Sequence, residues 1–150
     1  AIGIWDPSSG SARISDVKIR NNQIVCPTVT AMPPISIGQV RGKPATESVW
    51  KNITIAGNSV HFTGVATTSH IIVVGGARTK SSYTNFVIRD NDVTGGGGKQ
   101  SGIVLQGLTD ALVTGNSVAE VGVGIVLGRG SKRALVVDNR VSTILSLIHI

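Results

Sequence analysis

The chain has 150 residues, of which 41% are hydrophobic and 15% charged, and its formal net charge is +6. Clustered lysine and arginine would indicate a nucleic-acid partner, because such clusters bind phosphate. The cations are instead scattered along the sequence, so a solvated surface or attraction to an acidic polysaccharide is the better interpretation. Cys26 is the one cysteine, which excludes an intrachain disulfide and a cysteine-rich metal site.

Neither a membrane span nor a signal segment is found in the sequence. No run approaches the roughly 18 consecutive apolar residues of a transmembrane helix. Ala1 begins directly in a strand-like run without an initiating methionine, and residues 145–150 match the translation of a sequencing-transposon end. We therefore predict a native fragment at residues 1–144, with both natural termini missing, followed by a non-native tail at 145–150.

The predicted elements repeat one phrase along the chain. In the first repeat, an apolar run at 2–4, strand a, is followed by a second at 17–19, strand b, which ends three residues before Asn22. A third run, strand c, follows at Ile24. The same phrase recurs around four more asparagines, which name repeats 2 to 5: Asn58, Asn91, Asn116 and Asn139. The last spacing, 23 residues, is too short for the common helix-containing repeats and predicts one coil of a parallel β-helix.

Stacked coils place equivalent residues in columns about 4.8 Å apart. The five asparagines then form a hydrogen-bonded ladder with a structural role. The residues just before them are types that tolerate a left-handed backbone: Asn21, Gly57, Asp90, Gly115 and Asp138. Six residues before the asparagines lies a polar corner, in which Asp16 and Asp110 are expected to cap their own backbone: Asp16, Asn52, Asn85, Asp110 and Arg133.

Two columns predicted to face outward become apolar toward the C-terminus. They are Val87, Leu112 and Leu135 on strand b, and Ile72, Val104 and Val126 on strand a. Contiguous exposed apolar surface usually marks a contact. We therefore expect these repeats to pack against absent chain or against sister subunits, as a possible homo-oligomer.

Aromatic and basic residues concentrate near the insertions between strands a and b. Trp5, Trp50 and Tyr83 flank these loops, and Arg78 and Lys80 lie within the third of them. Flat aromatic faces suit sugar rings, so these five residues are the candidate carbohydrate-binding set. Ile14 and Leu108 share the column of Trp50 and Tyr83, however, which favours a buried packing role for those two rings.

With its repeats aligned, the chain resembles the right-handed parallel β-helix of the pectate lyase superfamily, which includes pectate lyases, polygalacturonases and bacteriophage tailspike depolymerases. The resemblance rests on the asparagine phrase, clearest at residues 52–60 and 85–93. It implies an all-β, single-stranded right-handed solenoid of about five coils, with three short strands per coil and no caps. A tailspike-like protein would be a trimer located outside the cell, on a cell surface or on a virion.

The resemblance implies a protein that binds or degrades polysaccharide, as a glycoside hydrolase or polysaccharide lyase if it is an enzyme. No family catalytic motif is matched, because no histidine lies between glycines and no two acidic residues are adjacent. Asp92 and Glu120 form the candidate catalytic pair, about 10 Å apart from their offsets along strand c. His61 and His70 bracket one loop as lone polar residues, and neither a metal nor a cofactor is expected.

Two other functions remain open at this stage. The segment could be a structural stalk or adhesin solenoid without chemistry, which would bind no glycan. A nucleic-acid binder is a distant third, because no aromatic residues alternate with cations on one face.

Overall fold

The computed structural model describes residues 2–5, 12–26, 33–38, 47–63, 70–75 and 81–149. Within these ranges the chain is all-β, without a helix, and every strand pair is parallel. The strands are β1 (Ile2–Trp5), β2 (Arg13–Ser15), β3 (Lys18–Arg20), β4 (Gln23–Cys26), β5 (Ile35–Gly38), β6 (Val49–Ala56), β7 (Ser59–Phe62), β8 (His70–Gly75), β9 (Ser82–Arg89), β10 (Asp92–Gln106), β11 (Leu108–Thr114), β12 (Ser117–Leu127), β13 (Leu135–Val137) and β14 (Arg140–His149).

The described strands form two sheets, and each sheet joins the same part of successive repeats. One has the order β1-β5-β8-β10-β12-β14, with β4 and β7 attached, and holds strands a and c. The other has the order β13-β11-β9-β6-β2, with β3 also paired to β6, and holds strand b. Parallel strands from consecutive repeats therefore lie side by side, an arrangement that is compatible with a β-helix or solenoid.

The predicted asparagine ladder is confirmed. In each of the first four repeats, the Nδ2 group of the anchoring asparagine donates to Oδ1 of the next one at 2.9 Å. The backbone N–H of the same asparagine donates to that same oxygen at 3.0 or 3.1 Å. Asn58, Asn91 and Asn116 are buried, so the ladder supplies the partners that buried amides require.

Left-handed residues mark the corners, as predicted for the column before each anchor. Asn21, Asp90 and Asp138 have φ between 53° and 55°, and Gly57 and Gly115 have φ of 63° and 64°. The polar corner six residues before each anchor is left-handed throughout, from Asp16 at 60° to Arg133 at 49°. Asparagine, aspartate and glycine adopt this conformation with the least steric cost, so these residue types set where the strands turn.

The core lies between the two sheets and follows the alternation of the strands. Ile53 and Ile55 of β6 lie next to Phe86 and Ile88 of β9, and all four are fully buried. Burying side chains of this size stabilises the fold by about 1.5–3 kcal/mol each. Each repeat is therefore stabilised mainly by its neighbours along the stack.

The prediction of three short strands in every repeat is wrong for repeats 3 and 4. There strands c and a merge into one strand each, β10 with 15 residues and β12 with 11. Their pairing shifts register around Gly95 and Glu120, both of which have positive φ. The chain thus turns from c to a through a left-handed corner without leaving the sheet, because repeat 4 has no inserted loop there.

The predicted orientation of strand a in repeat 3 is also wrong by one residue. Ile72 was expected to face outward, but it is fully buried and pairs with Ile35 and Ile103. The run at 71–74 is apolar at every position, so alternation alone does not define its inward face. Val104 was also expected outward and is 1% exposed, whereas Val126 beside it is partly buried.

The backbone of residues 145–149 continues β14, which pairs with β12. A chain with this alternation can extend a parallel sheet whatever its origin. The assignment of residues 145–150 to a non-native tail stays a prediction.

Candidate functional site

The outward side of the strands after the asparagine ladder forms a polar surface, which we call the c face. Its two columns are Gln23, Ser59, Asp92, Ser117 and Arg140, and Val25, His61, Thr94, Ala119 and Ser142. The intervening residues, including Val60, Val93 and Val118, are buried in the core. Because each strand begins directly after a laddered asparagine, the ladder fixes the register of these side chains along the stack.

His61 and Thr94 are joined across neighbouring strands of the c face. His61 Nδ1 lies 2.7 Å from Thr94 Oγ1, and the imidazole is exposed. This contact fixes one ring nitrogen and leaves Nε2 directed away from it, so the ring can still exchange a hydrogen bond with a ligand. For His70 the structure describes the backbone alone, within β8.

Asp92 lies on the same face, two residues before Thr94 and next to Ser117 of the following repeat. Its carboxylate is exposed. Two arginines, Arg89 and Arg140, were candidate partners for Asp92. Arg89 is instead paired with Asp90 at 2.5 Å, and the ion pairs among the described residues include none between Asp92 and Arg140. Asp92 therefore remains available to a ligand on this surface.

Glu120 occupies an unusual backbone position at the end of the c face. Its φ of 59° places a glutamate in the left-handed region, where the corresponding corner of repeat 3 has Gly95. Glutamate gains no local hydrogen bond there of the kind that favours asparagine or aspartate, and strained residues of this type often serve function. Glu120 lies three residues beyond Ser117, so it is about 10 Å along the strand from the level of Asp92.

Trp50 and Tyr83 form the predicted stack, and it lies inside the molecule. Their ring centroids are 6.0 Å apart with an interplanar angle of 21°, and the two residues are 0% and 1% exposed. Both rings are therefore buried, as the sequence favoured, and neither ring presents a face to solvent. Arg78 and Lys80 lie outside the described residues, as does the side chain of Trp5, so their carbohydrate role stays a prediction.

A second ladder, exposed to solvent, was missed by the sequence analysis. Asn85 Nδ2 donates to Asn52 Oδ1 at 3.1 Å, and Asn52 Nδ2 donates to Asp16 Oδ1 at 3.0 Å. In the last two repeats Arg133 donates to Asp110 in the same direction. The expectation that Asp16 and Asp110 cap only their own backbone is thus wrong, because they accept bonds from the next repeat. The signal was present in the sequence as a column of amides and carboxylates.

The charged members of this outer ladder have shifted pKa values. Hydrogen bonds from Ser15 and Asn52, aided by the nearby Lys51 and Lys18, lower the pKa of Asp16. The hydrogen bond from Arg133 lowers the pKa of Asp110, and the same contact raises the pKa of Arg133. These groups are fully ionised at neutral pH and hold successive repeats together at the surface.

The apolar column on strand b has the predicted register. Val87 pairs with Leu112, and Leu112 pairs with Leu135, which is 56% exposed. Val137, two residues later on the same face, is 36% exposed. The homo-oligomer contact proposed for this column stays a prediction.

The described ranges contain no group of three or more histidine, cysteine, aspartate or glutamate residues that could hold a metal ion. No helix capable of crossing a membrane occurs in the same part of the chain. Comparison with protein-family profiles, with curated proteins and with solved structures finds no match to this chain. The arguments for its function therefore rest on its own geometry.

Proposed function

We propose that the chain is a segment of a right-handed parallel β-helix, similar to the pectate lyase superfamily, that binds polysaccharide along its c face. The five repeats would each form one coil. Parallel pairing between successive repeats, the asparagine ladder and the recurring left-handed corners support this architecture. The family assignment rests on the resemblance of the repeat phrase.

The observation that carries the binding proposal is the composition of the c face. It presents amide, hydroxyl, imidazole, carboxylate and guanidinium groups from five consecutive repeats on one side of a sheet. A polyhydroxylated polymer needs many donors and acceptors in regular array, because each hydroxyl that loses water must regain a hydrogen bond. Strand spacing of about 4.8 Å supplies such an array along the stack.

Asp92 and Glu120 would supply the chemistry if the bound polymer is cleaved. Retaining glycosidases separate their two carboxylates by about 5–5.5 Å, and inverting ones by about 6.5–9.5 Å. A backbone separation near 10 Å along the strand direction is closer to the inverting range than to the retaining one. The proposed roles are therefore a general acid that protonates the leaving glycosidic oxygen and a general base that takes a proton from the water molecule attacking the anomeric carbon on the opposite face of the sugar.

Glycan binding tests the proposal directly. We expect the chain to bind a subset of immobilised bacterial and plant polysaccharides, and Asp92→Ala combined with His61→Ala to weaken that binding about tenfold or more. Thr109→Ala combined with Thr84→Ala, at partly buried positions of the other sheet, is the matched control and should leave affinity unchanged. No binding by the unaltered chain, or equal loss in both double variants, contradicts the proposal.

The second candidate function, a structural stalk, is favoured by the uninterrupted inner ladder. Four consecutive side-chain amide bonds lock the repeats together without any contribution from the c face. A stalk would keep its stability and show neither glycan binding nor turnover. Glu120→Gln and Asp92→Asn distinguish the functions, because they alter binding or hydrolysis only if the c face acts on a glycan.

A further inference from the structure

A group of cations meets on the six-stranded sheet, away from the c face. Arg13 lies on β2, Lys18 and Arg20 lie on β3, and Lys51 lies on β6 directly beside Ser15. We call these four residues the cation row. All four are exposed, whereas Trp50 and Ile19, which alternate with them, are buried. The fold thus places the four cations on either side of the left-handed corner at Asp16 and Asn52, with Arg13 and Lys51 before it and Lys18 and Arg20 after it.

The charges of the cation row are close enough to act together. Side chains two residues apart on a strand are about 7 Å apart, and neighbouring strands are about 4.8 Å apart. Lys18 and Arg20, two residues apart on β3, are therefore closer than the screening length of about 8 Å in physiological salt, and Arg13 and Lys51, one strand and two residues apart, are separated by about that length. A polymer with regularly spaced anions would therefore meet the summed field of the row.

These cations have few charges to balance them. Strands β2, β3 and β6 contain no carboxylate, and Asp16, in the turn between β2 and β3, offsets one of the four positive charges because it lies near Lys51 and Lys18. Among the described residues, ion pairs join Arg89 to Asp90 and Arg133 to Asp110, and none involves the cation row. The row therefore retains a net positive charge.

We propose that the cation row is a second binding surface, which holds an acidic polysaccharide through its carboxylate or sulfate groups. This surface is independent of the polysaccharide site on the c face. Arginine and lysine suit both anions, and the hydroxyls of Ser15 and Thr54 stand beside them on the same side of the sheet for contacts to sugar hydroxyls. Nucleic acid fits less well, because the aromatic side chain of this region, Trp50, is buried and offers no stacking face.

A competing explanation is that charges on β2 and β3 protect the edge of the sheet from aggregation. That explanation requires the charges to keep copies of the chain apart and predicts no affinity for a polymer. Measuring aggregation and polymer binding on the same variants distinguishes this explanation from the proposal.

Affinity electrophoresis of the whole chain through gels containing heparin, alginate, neutral dextran or single-stranded DNA tests the proposal. Heparin carries sulfate and alginate carries carboxylate, so comparing the two polymers shows which anionic group the cation row binds. Lys18→Gln with Arg20→Gln is the test variant. Arg129→Gln with Lys132→Gln, also exposed, is the control and removes the same charge.

We expect retardation by heparin or alginate at about 0.02 M salt, weakened at about 0.15 M, and loss of about tenfold in affinity for the test variant only. Arg13→Gln with Lys51→Gln should give the same loss, which keeps the test valid if the first variant aggregates. No retardation by either polyanion overturns the proposal. Three other results would also overturn it. They are an equal loss of affinity in the control variant, stronger retention by DNA than by both polysaccharides, and aggregation of both row variants with unchanged affinity.

Discussion

Arg133 donates two hydrogen bonds to Asp110 of the preceding repeat, from Nε to Oδ1 at 2.5 Å and from Nη2 to Oδ2 at 2.7 Å. In repeats 2 and 3 the same column holds Asn52 and Asn85, joined amide to amide. A bidentate ion pair therefore replaces an amide link at the C-terminal end of the outer ladder. Because the contact favours both charged forms, the pKa of Asp110 lies below its ordinary value of 3.8.

The Asp110–Arg133 pair makes stability depend on pH in the acid range. A carboxylate whose pKa is lower in the folded state stabilises the fold fully above the unfolded pKa, near 3.8, and loses that contribution as pH falls through the lower folded pKa. We expect Arg133→Gln to return the pKa of Asp110 toward 3.8, measured by carboxyl carbon NMR titration. An unchanged pKa in this variant would show that the contact does not form in solution.

Converting the ion pair to amides should complete the outer ladder. A carboxylate has no hydrogen to donate to Asn85 Oδ1, so the chain of amide bonds stops between Asn85 and Asp110. Asp110→Asn with Arg133→Asn supplies the missing donor and places asparagine, which tolerates a left-handed backbone, at the φ of Arg133. We expect the double variant to unfold at a higher urea concentration than the wild type.

The matching single variant provides the control for this design. Arg133→Asn alone removes the ion pair without creating a link from Asp110 to Asn85, so it should be less stable than the double variant. If Asp110→Asn fails to stabilise the Arg133→Asn background, the outer ladder does not stabilise adjacent repeats in the way described.

The inner ladder should be most sensitive to substitution at its centre. Asn91 is 1% exposed, and its Oδ1 accepts from both Nδ2 and the backbone N–H of Asn58. Asn91→Ala leaves the buried backbone N–H of Asn58 without its acceptor, at a cost of about 1–3 kcal/mol, and also removes the hydrogen bonds of Asn91 with Asn58 Nδ2 and with the carbonyl oxygen of Ile55. We expect a loss of about 3 kcal/mol or more in the free energy of unfolding, measured in urea.

Asn22→Ala is the matched control at the edge of the inner ladder. Asn58 Oδ1 would still accept from the backbone N–H of Asn22, so no buried donor is stranded. The expected loss is about 1 kcal/mol, the usual net value of one hydrogen bond. Equal losses at the two positions would mean that burial of the ladder does not determine its contribution.

Sequence spacing predicted the regular parts of this molecule well. Asparagine, aspartate and glycine all tolerate a left-handed backbone, so the left-handed column directly before the anchors and the inner ladder followed from residue type alone. The predicted column of Lys18, Thr54 and Val87, one residue from strand b of each of three successive repeats, is likewise confirmed by the observed pairing. In these places local preference and packing agree.

The errors arose where the sequence pattern does not define which side of a strand faces inward or which side chains become partners. Ile72 lies in an apolar run, where either face could point inward, and the choice depends on contacts with Ile35 and Ile103. The outer ladder was missed because its column mixes amides, carboxylates and an arginine, residue types that are also expected at a turn capped by its own side chains. The cation row and the position of Glu120 at a corner likewise emerge only once the strands are in register.

Two glycines at the corners should respond very differently to an added methyl group. At Gly95, with φ of 101°, a Cβ would overlap the backbone carbonyl oxygen of Phe62. At Gly57, with φ of 63°, a Cβ would meet the side-chain oxygen of Asn21 at 2.5 Å. A backbone atom within a paired strand cannot move without breaking the sheet, whereas an exposed side chain can rotate away.

We therefore expect Gly95→Ala to destabilise the fold by several kcal/mol, about 3 or more, and Gly57→Ala by about 1–2 kcal/mol from left-handed strain. Asn21→Gly in the Gly57→Ala background should recover part of the smaller loss, while no side-chain truncation near Gly95 should rescue the larger one. Urea unfolding of the four proteins measures both effects. Similar losses for the two alanine variants would contradict the close approach of strands β7 and β10 at Phe62, on which the register of Asp92 and His61 depends.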